Sequence, residues 1–449
     1  MFKIRVTNIV ITAHRTVPYA SFLLSLQSQY QRGRVRYLRF VIPAILLLGI
    51  TSCYKEVELP LYSGAVFELS VSPEMQEFIY DSRDTSYSIY EPDMVFSLDN
   101  WPLDLNEIRT RGKSALKFQR KSFRVSLNQT IALSGKDGSV QKQLSRFKLI
   151  AMAMDYTYIE NRIGYGILEK QQIMPLFYRF VELKINGISQ GVYLLIEDPE
   201  KYYKEFGSEF ILRRGYYNSI ADAEYEPSFH SIPRESYETR FKEIYSNLTL
   251  LQGEALYKAL NQRMDMDQYF RKMGIDYLLQ NGDYTDEIYF YAQVLQDQIR
   301  FSIIPWDYDD LFRSYPHEVG LSWGTGHLFG HRYYASHQDI LDEIGNKLIF
   351  SIEDDLDYAI AMDPYLYDRY EITLTAMIEK IRTQDIDQLF EQVKNELTPF
   401  YNNKEVIYQS QFDQNETSFK RWEENMAEKK TMIIERLEAM KEQLKDIQK

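Results

Sequence analysis

Cysteine is almost absent. The chain of 449 residues contains one, Cys53, which excludes an internal disulfide and any multi-cysteine zinc site. Positive charge is also scarce: 52 Lys and Arg stand against 65 Asp and Glu, a net charge of −13 at pH 7. A nucleic-acid backbone needs a basic footprint, so the charge argues against nucleic acid as a partner, while it leaves room for a local basic pocket for a nucleotide. Long apolar runs are lacking as well. The run Phe40–Ile50 has 11 residues, too short for an ordinary membrane-spanning helix. No internal repeat or low-complexity domain interrupts the chain.

What is present is a hydrophobic content of 45%, enough for a large core, with 36 Tyr and 25 Phe that favour strands. The length suits two or three domains or one two-lobed unit. Near the N-terminus, Arg32, Arg34, Arg36 and Arg39 precede the apolar run, which leads into Ile50-Thr51-Ser52-Cys53. This order resembles a bacterial lipoprotein signal, in which Cys53 is lipidated. A start near Val35 would give that signal an ordinary length, with Met1–Gln31 upstream of it. Tyr54–Glu58 then reads as a charged tether. The expected location is the bacterial cell envelope, lipid-anchored in the outer membrane and facing the periplasm or the surface.

The stretch 60–100 alternates apolar and polar residues and reads as short strands. From Arg109 to Arg124 there are seven Lys or Arg and no acid, an anomaly in an acidic chain. A glycine turn at Gly112 followed by a strand at Phe123-Arg124-Val125 that carries Lys121 suits a phosphate cradle; an exposed basic edge strand would give the same pattern. Residues 128–145 read as a polar loop. Arg146–Gln171 reads as a helix, with Ile159, Ile163, Ile167 and Leu168 on one face. Asn186-Gly187 between β-rich runs predicts a hairpin over 180–197. The region 200–270 reads as helical, Met264–Gln280 as a helix before an acidic hairpin, and Ile340 onward as almost all helix. Four of the six His lie in the irregular stretch 313–340, where His327 and His331 have i,i+4 spacing but glycine neighbours.

The centre of the sequence is Asn281–Phe312. Two apolar runs, Ile288–Val294 and Ile299–Trp306, flank the polar tip Gln296-Asp297-Gln298 and predict two strands joined by a turn. At their outer ends stand Asp283, Asp286 and Glu287 on one side, and Asp307, Asp309 and Asp310 on the other. A hairpin brings those ends together. Converging carboxylates raise one another's proton affinity unless a cation joins them, and Mg²⁺ with a phosphate suits such a set of hard oxygen ligands.

Five segments follow in order: Arg111-Gly112-Lys113-Ser114-Ala115 with Arg120-Lys121-Ser122-Phe123-Arg124; Glu160-Asn161-Arg162; Asn186-Gly187 with Gly191-Val192-Tyr193-Leu194-Leu195-Ile196-Glu197; Asn281-Gly282-Asp283-Tyr284 with Asp286-Glu287; and Pro305-Trp306-Asp307-Tyr308-Asp309. Together they resemble the CotH kinase family, the spore-coat-H-like atypical protein kinases. The resemblance implies an α+β, atypical two-lobed protein-kinase-like fold, with a β-rich N-lobe and a mostly helical C-lobe. It divides the chain into an N-terminal extension and signal (1–53), a tether with leading strands (54–99), the N-lobe (100–199) and the C-lobe with its acidic hairpin (200–449). It implies ATP and Mg²⁺ or Mn²⁺ as cofactors and a protein Ser/Thr substrate; the Cys53 signal adds membrane contact through an N-terminal lipid anchor. In this mapping Lys121 holds the phosphates, Arg111 and Arg124 add positive charge, and Glu197 lies near the adenine. Asp283 receives or orients the acceptor proton, and Asp307, Glu287 and Asp309 bind metal. The family's His-Asn is Asp286-Glu287 here, and its Gly-Asn-Ser-Ser is Gly112-Lys113-Ser114-Ala115. Those departures favour a second reading, a non-catalytic surface binding or assembly lipoprotein on a degenerate kinase scaffold. A metal-dependent hydrolase using the same carboxylates is a third.

Overall fold

Alternation along the strands decides which side chains meet. The structure, a computed structural model, describes residues 61–62, 65–134, 141–155, 157–216, 218–227, 230, 232–283, 285–295, 298–316, 327–329, 332–403 and 419–447. The lipidation candidate Cys53 and His331 lie outside them. Between residues 61 and 197 the strands are β1 (Leu61–Tyr62), β2 (Val66–Ser70), β3 (Ser88–Ile89), β4 (Val95–Leu98), β5 (Trp101–Pro102), β6 (Leu105–Arg111), β7 (Ser122–Ser134), β8 (Gln141–Ile150), β9 (Tyr178–Ile185) and β10 (Ile188–Glu197). They form one sheet in the order β3-β6-β7-β8-β10-β9-β2-β4-β5, with β1 pairing on β7. The leading strands near residues 66–98 therefore belong to the same sheet as the strands that follow. The β9–β10 hairpin turns at Asn186 and Gly187, with φ 50° and 77°, the left-handed pair that a two-residue turn requires.

One face of this sheet packs a core of its own, including Phe67, Phe96, Phe123, Val125, Phe147, Leu149, Tyr193 and Leu195. Since side chains alternate, the residues between them point to the opposite face. There Val192, Leu194 and Ile196 of β10 join the main core of the rest of the chain. Arg124 of β7 pairs with Lys148 of β8, and Lys148 pairs with Ile196 of β10. The basic residues Arg124, Arg146 and Lys148 thus share the face turned toward the second lobe.

The helices in chain order are α1 (Pro73–Asp81), α2 (Glu160–Lys170), α3 (Pro199–Tyr202), α4 (Arg234–Leu250), α5 (Gly253–Arg263), α6 (Met266–Leu279), α7 (His337–Ile344), α8 (Asp355–Met362), α9 (Pro364–Lys380), α10 (Thr383–Asn402) and α11 (Phe419–Ile447); α1 and α2 lie within the first lobe's sequence and the rest follow it, making the second lobe mostly helical. The second lobe begins after β10. The lobe also has a four-stranded antiparallel sheet, in the order β12-β11-β13-β14, made of β11 (Phe210–Arg214), β12 (Ile220–Tyr225), β13 (Ile288–Leu295) and β14 (Gln298–Pro305). Two short strands, β15 (His327–Phe329) and β16 (Arg332–Tyr334), pair with each other. The expected acidic hairpin is β13–β14, with Ile288 opposite Pro305.

Three local expectations are corrected. Residues 128–145 are largely strand, because β7 continues to Ser134 and β8 begins at Gln141. The helix expected over Arg146–Gln171 starts only at Glu160. Its first part is β8, where Leu144, Phe147 and Leu149 are buried by the sheet. The region 200–270 contains β11 and β12 between α3 and α4. Among the described residues no helix is long and apolar enough to cross a membrane.

Candidate functional site

Both acidic segments are loops at the open end of the β13–β14 hairpin, and hydrogen bonds lay them side by side. Trp306 N–H donates to Glu287 O (3.0 Å), Gly282 N–H to Asp310 O (2.7 Å) and Phe312 N–H to Leu279 O (2.9 Å). The loop 307–311 rests on the first turns of α2. Asp307 N–H donates to the Tyr165 hydroxyl (3.1 Å), Tyr308 N–H to Asn161 Oδ1 (2.8 Å) and Leu311 N–H to Glu160 Oε2 (3.0 Å). Gly164 permits this seat: a β-carbon there would lie 2.6 Å from the Tyr308 ring. The Glu160-Asn161-Arg162 segment is therefore a support for the acidic loop, and Arg162 ties it onward to Glu396 of α10 (2.7 and 2.8 Å). Asp307 itself has φ 48°, a left-handed conformation that aspartate tolerates better than most residues.

The gathered carboxylates act on one another. Burial first, then Asp286, Asp307 and Asp310, raise Asp283 to about 7, with Arg213 opposing. Burial, with Asp307, Glu287 and Asp283 behind it, pushes Asp309 well above the usual carboxylate range. Glu287 is raised in the same way by burial, against the pull of Arg213. Such a set favours either protons or a cation.

Three cations border it. Arg213 of β11 reaches Asp286 Oδ2 (3.1 Å) and Glu287 Oε1 (2.5 Å). Arg111 of β6 lies 3.5 Å from Asp307 Oδ2, with its guanidinium 5.6 Å from the centre of the Trp306 ring. Lys148 of β8 has its ammonium 4.3 Å from the same ring and 3.2 Å from Asp198 Oδ1. Trp306 thus carries two first-lobe cations against the residue preceding Asp307, a cation–π arrangement strengthened by burial.

The expected site residues fall into two groups. Asp283, Glu287, Asp307, Asp309 and Arg111 come together. Lys121 does not join them in any described contact: its buried ammonium donates to Leu116 O (2.6 Å) and Phe118 O (2.5 Å) and braces the turn before β7. Arg124 joins Arg146 in an ion lattice with Asp198, Glu200 and Glu224. Glu197 receives the Phe177 N–H (3.2 Å) and pairs with Lys142 (2.9 Å), and burial raises it to about 7. Lys148 and Arg213 were not anticipated. The alternation Leu144-Ser145-Arg146-Phe147-Lys148-Leu149 was the available signal for Lys148, once read as strand.

A divalent cation is tested by its donors. Among the described residues, Glu287 Oε2 and Asn281 Oδ1 are buried oxygens without a hydrogen-bond partner, and Glu287 stands among the carboxylates of Asp283, Asp286 and Asp307. Hard oxygen donors of this kind fit Mg²⁺ or Mn²⁺. Among the described residues, however, no three His, Cys, Asp or Glu converge at ligand spacing; Glu287 is paired with Arg213 and Asp307 with Arg111.

A β-rich lobe bearing inward lysine and arginine, set over a helical lobe that presents paired acidic loops, defines a two-lobed kinase-like protein. The family model described as CotH kinase protein matches residues 108–440, and the chain belongs to that family. It is also similar to the inner spore coat protein H of Bacillus subtilis (strain 168), with 23% identity over 272 residues, which cover 56% of this chain and 68% of that protein.

Proposed function

We propose that the protein is an exported, lipid-anchored phosphotransferase of the kinase type, which moves the γ-phosphoryl group of ATP to a protein Ser or Thr with Mg²⁺ or Mn²⁺. The observation that carries this reading is the stack of Lys148 and Arg111 on Trp306, directly before Asp307, whose charge acts on Asp283. Bound metal would neutralise the phosphate charge and be held by Asp307, Glu287 and Asp309. Lys148, in place of Lys121, would hold the phosphates, with Asp198 orienting its ammonium. Arg111 adds a second positive charge and can exchange Asp307 for a phosphate oxygen. Asp283, raised to about 7 by burial and its acidic neighbours, is suited to take a proton from an acceptor hydroxyl near neutral pH. Glu197 ends β10, where the chain crosses between the lobes, and is assigned to the adenine side. Arg124 is assigned to holding Asp198 and Glu200 and so acts at one remove from the phosphates. Cys53 is the proposed lipid attachment point, giving a cell-envelope location, and it would be read out by mass spectrometry of the membrane fraction.

A second reading, a non-catalytic binding or assembly protein, is favoured by Arg213, which already neutralises Glu287 without any metal. Titration of the full chain with ATP and Mn²⁺, followed by thermal unfolding, separates the readings from a hydrolase. Stabilisation that needs both ATP and metal supports a nucleotide site, and its absence removes the kinase reading.

A further inference from the structure

Arg213 and Arg214 are neighbours on β11 and point to opposite faces of the strand, yet both reach the loop that carries Asp283. Arg213 Nε donates to the carbonyl of Asp286 (2.8 Å) and Arg214 Nε to the carbonyl of Thr285 (2.6 Å). Consecutive guanidiniums therefore hold consecutive carbonyls. Beyond this, the two differ. Arg213 is 22% exposed and grips Asp286 and Glu287. Arg214 is fully buried, donates to the Tyr269 hydroxyl (2.6 Å) and lies 3.4 Å from Asp354 and 3.9 Å from Asp357. Asp354 is the N-cap of α8, and Tyr269 belongs to α6 and donates to Asp357 (2.6 Å). The Thr285 hydroxyl adds a bond to Glu353 (2.8 Å).

A buried ion cluster that served only to hold helices could be replaced by apolar packing at little cost, since desolvation cancels much of its attraction. Apolar packing cannot hold two loop carbonyls. Nor does the fold need a charged side chain at the partly exposed position 213, whose hydrogen bonds and ion pairs among the described residues go to Asp286 and Glu287. We propose that Arg213 and Arg214 are positioning residues that clamp the backbone at 285–286 and thereby set the placement of Asp283, and that Arg213 in addition orients the Glu287 carboxylate so that one oxygen stays available. The effect on catalysis rests on the kinase reading of Asp283; the clamp itself does not.

The test compares full-length wild type with Arg213→Gln, Arg213→Lys and Arg214→Lys by hydrogen exchange and by ATP–Mn²⁺ titration. Arg213→Gln is expected to speed exchange at least tenfold in the peptide spanning 281–287, with α6 and β13 peptides unchanged, and to weaken the ATP–Mn²⁺ response about tenfold. Arg213→Lys restores charge without the Nε–carbonyl bond, so the ATP–Mn²⁺ response recovers in part while loop exchange stays fast. Arg214→Lys is expected to speed the same peptide. Exchange in 281–287 that is unchanged in all three variants, or that rises equally along the whole chain, overturns the clamp. If wild type shows no ATP–Mn²⁺ response, the kinase reading fails, and the exchange measurements still decide the clamp.

Discussion

Replacing Gly282 with alanine tests whether the two acidic loops are pressed together. A methyl group at 282 would lie well inside the contact distance of Asp310 Oδ2 and 2.8 Å from Arg313 Cγ. Arg313 is half exposed and can move aside. Asp310 cannot do so cheaply: its side chain is 2% exposed and its Oδ1 is held by Arg313 at 2.5 and 2.6 Å. The Gly282 N–H to Asp310 O bond, at 2.7 Å, keeps the backbones from separating. Overpacking of this kind costs about 1–3 kcal/mol. Urea unfolding should give that loss for Gly282→Ala. In an Asp310→Ala background, where the space is vacated, the same change should cost less than about 0.5 kcal/mol, a coupling expected only of touching residues. Additive effects of the two substitutions would refute the side-by-side arrangement of the loops.

Two further outcomes are expected. Burial and Asp155 raise Glu160 from 4.5 to about 7. The folded protein therefore keeps a proton that the unfolded chain has released, and this contribution to stability is full below pH 4.5 and lost as pH rises through 7. At 1.36 kcal/mol per pKa unit the loss is about 3 kcal/mol. Glu160→Gln should abolish that slope and gain about 3 kcal/mol over wild type between pH 4.5 and pH 8; parallel stability–pH curves would contradict it. Lys148→Met should remove stabilisation by ATP and metal, while Lys121→Met should keep it and lower unfolding free energy by about 1–3 kcal/mol, the cost of two carbonyls losing their donor. The opposite pattern would return the phosphate role to Lys121.

The acidic hairpin was legible because its evidence is local: β-rich runs, a polar tip and charges at fixed distances from both. The Asn186-Gly187 turn was legible for the same reason. Lys148 was not, because its role depends on the β7–β8–β10 register, a long-range property. Read locally, Arg146-Phe147-Lys148 fits the surface of a helix, and only the pairing of Phe147 and Leu149 into the first-lobe core turns Lys148 toward Trp306. Lys121 stands one residue before β7, so its side chain serves the turn at 114–118 and not the inner face. Arg213 lay in a stretch read as helical, where β11 is short and flanked by aromatic residues that carry no clear period. The departure Asp286-Glu287 adds negative charge to an acidic site, and its compensation by an arginine 73 and 74 positions earlier is visible only in the fold.

The most direct measurement is transfer of label from ATP, carrying a labelled γ-phosphoryl group, to the protein itself or to a generic Ser/Thr acceptor, with Mg²⁺ and with Mn²⁺, beside Asp307→Ala. Label that appears with wild type and is lost in Asp307→Ala is the predicted result. No transfer with either metal, together with no stabilisation by ATP in wild type, would contradict the kinase reading and leave a binding protein on the same fold.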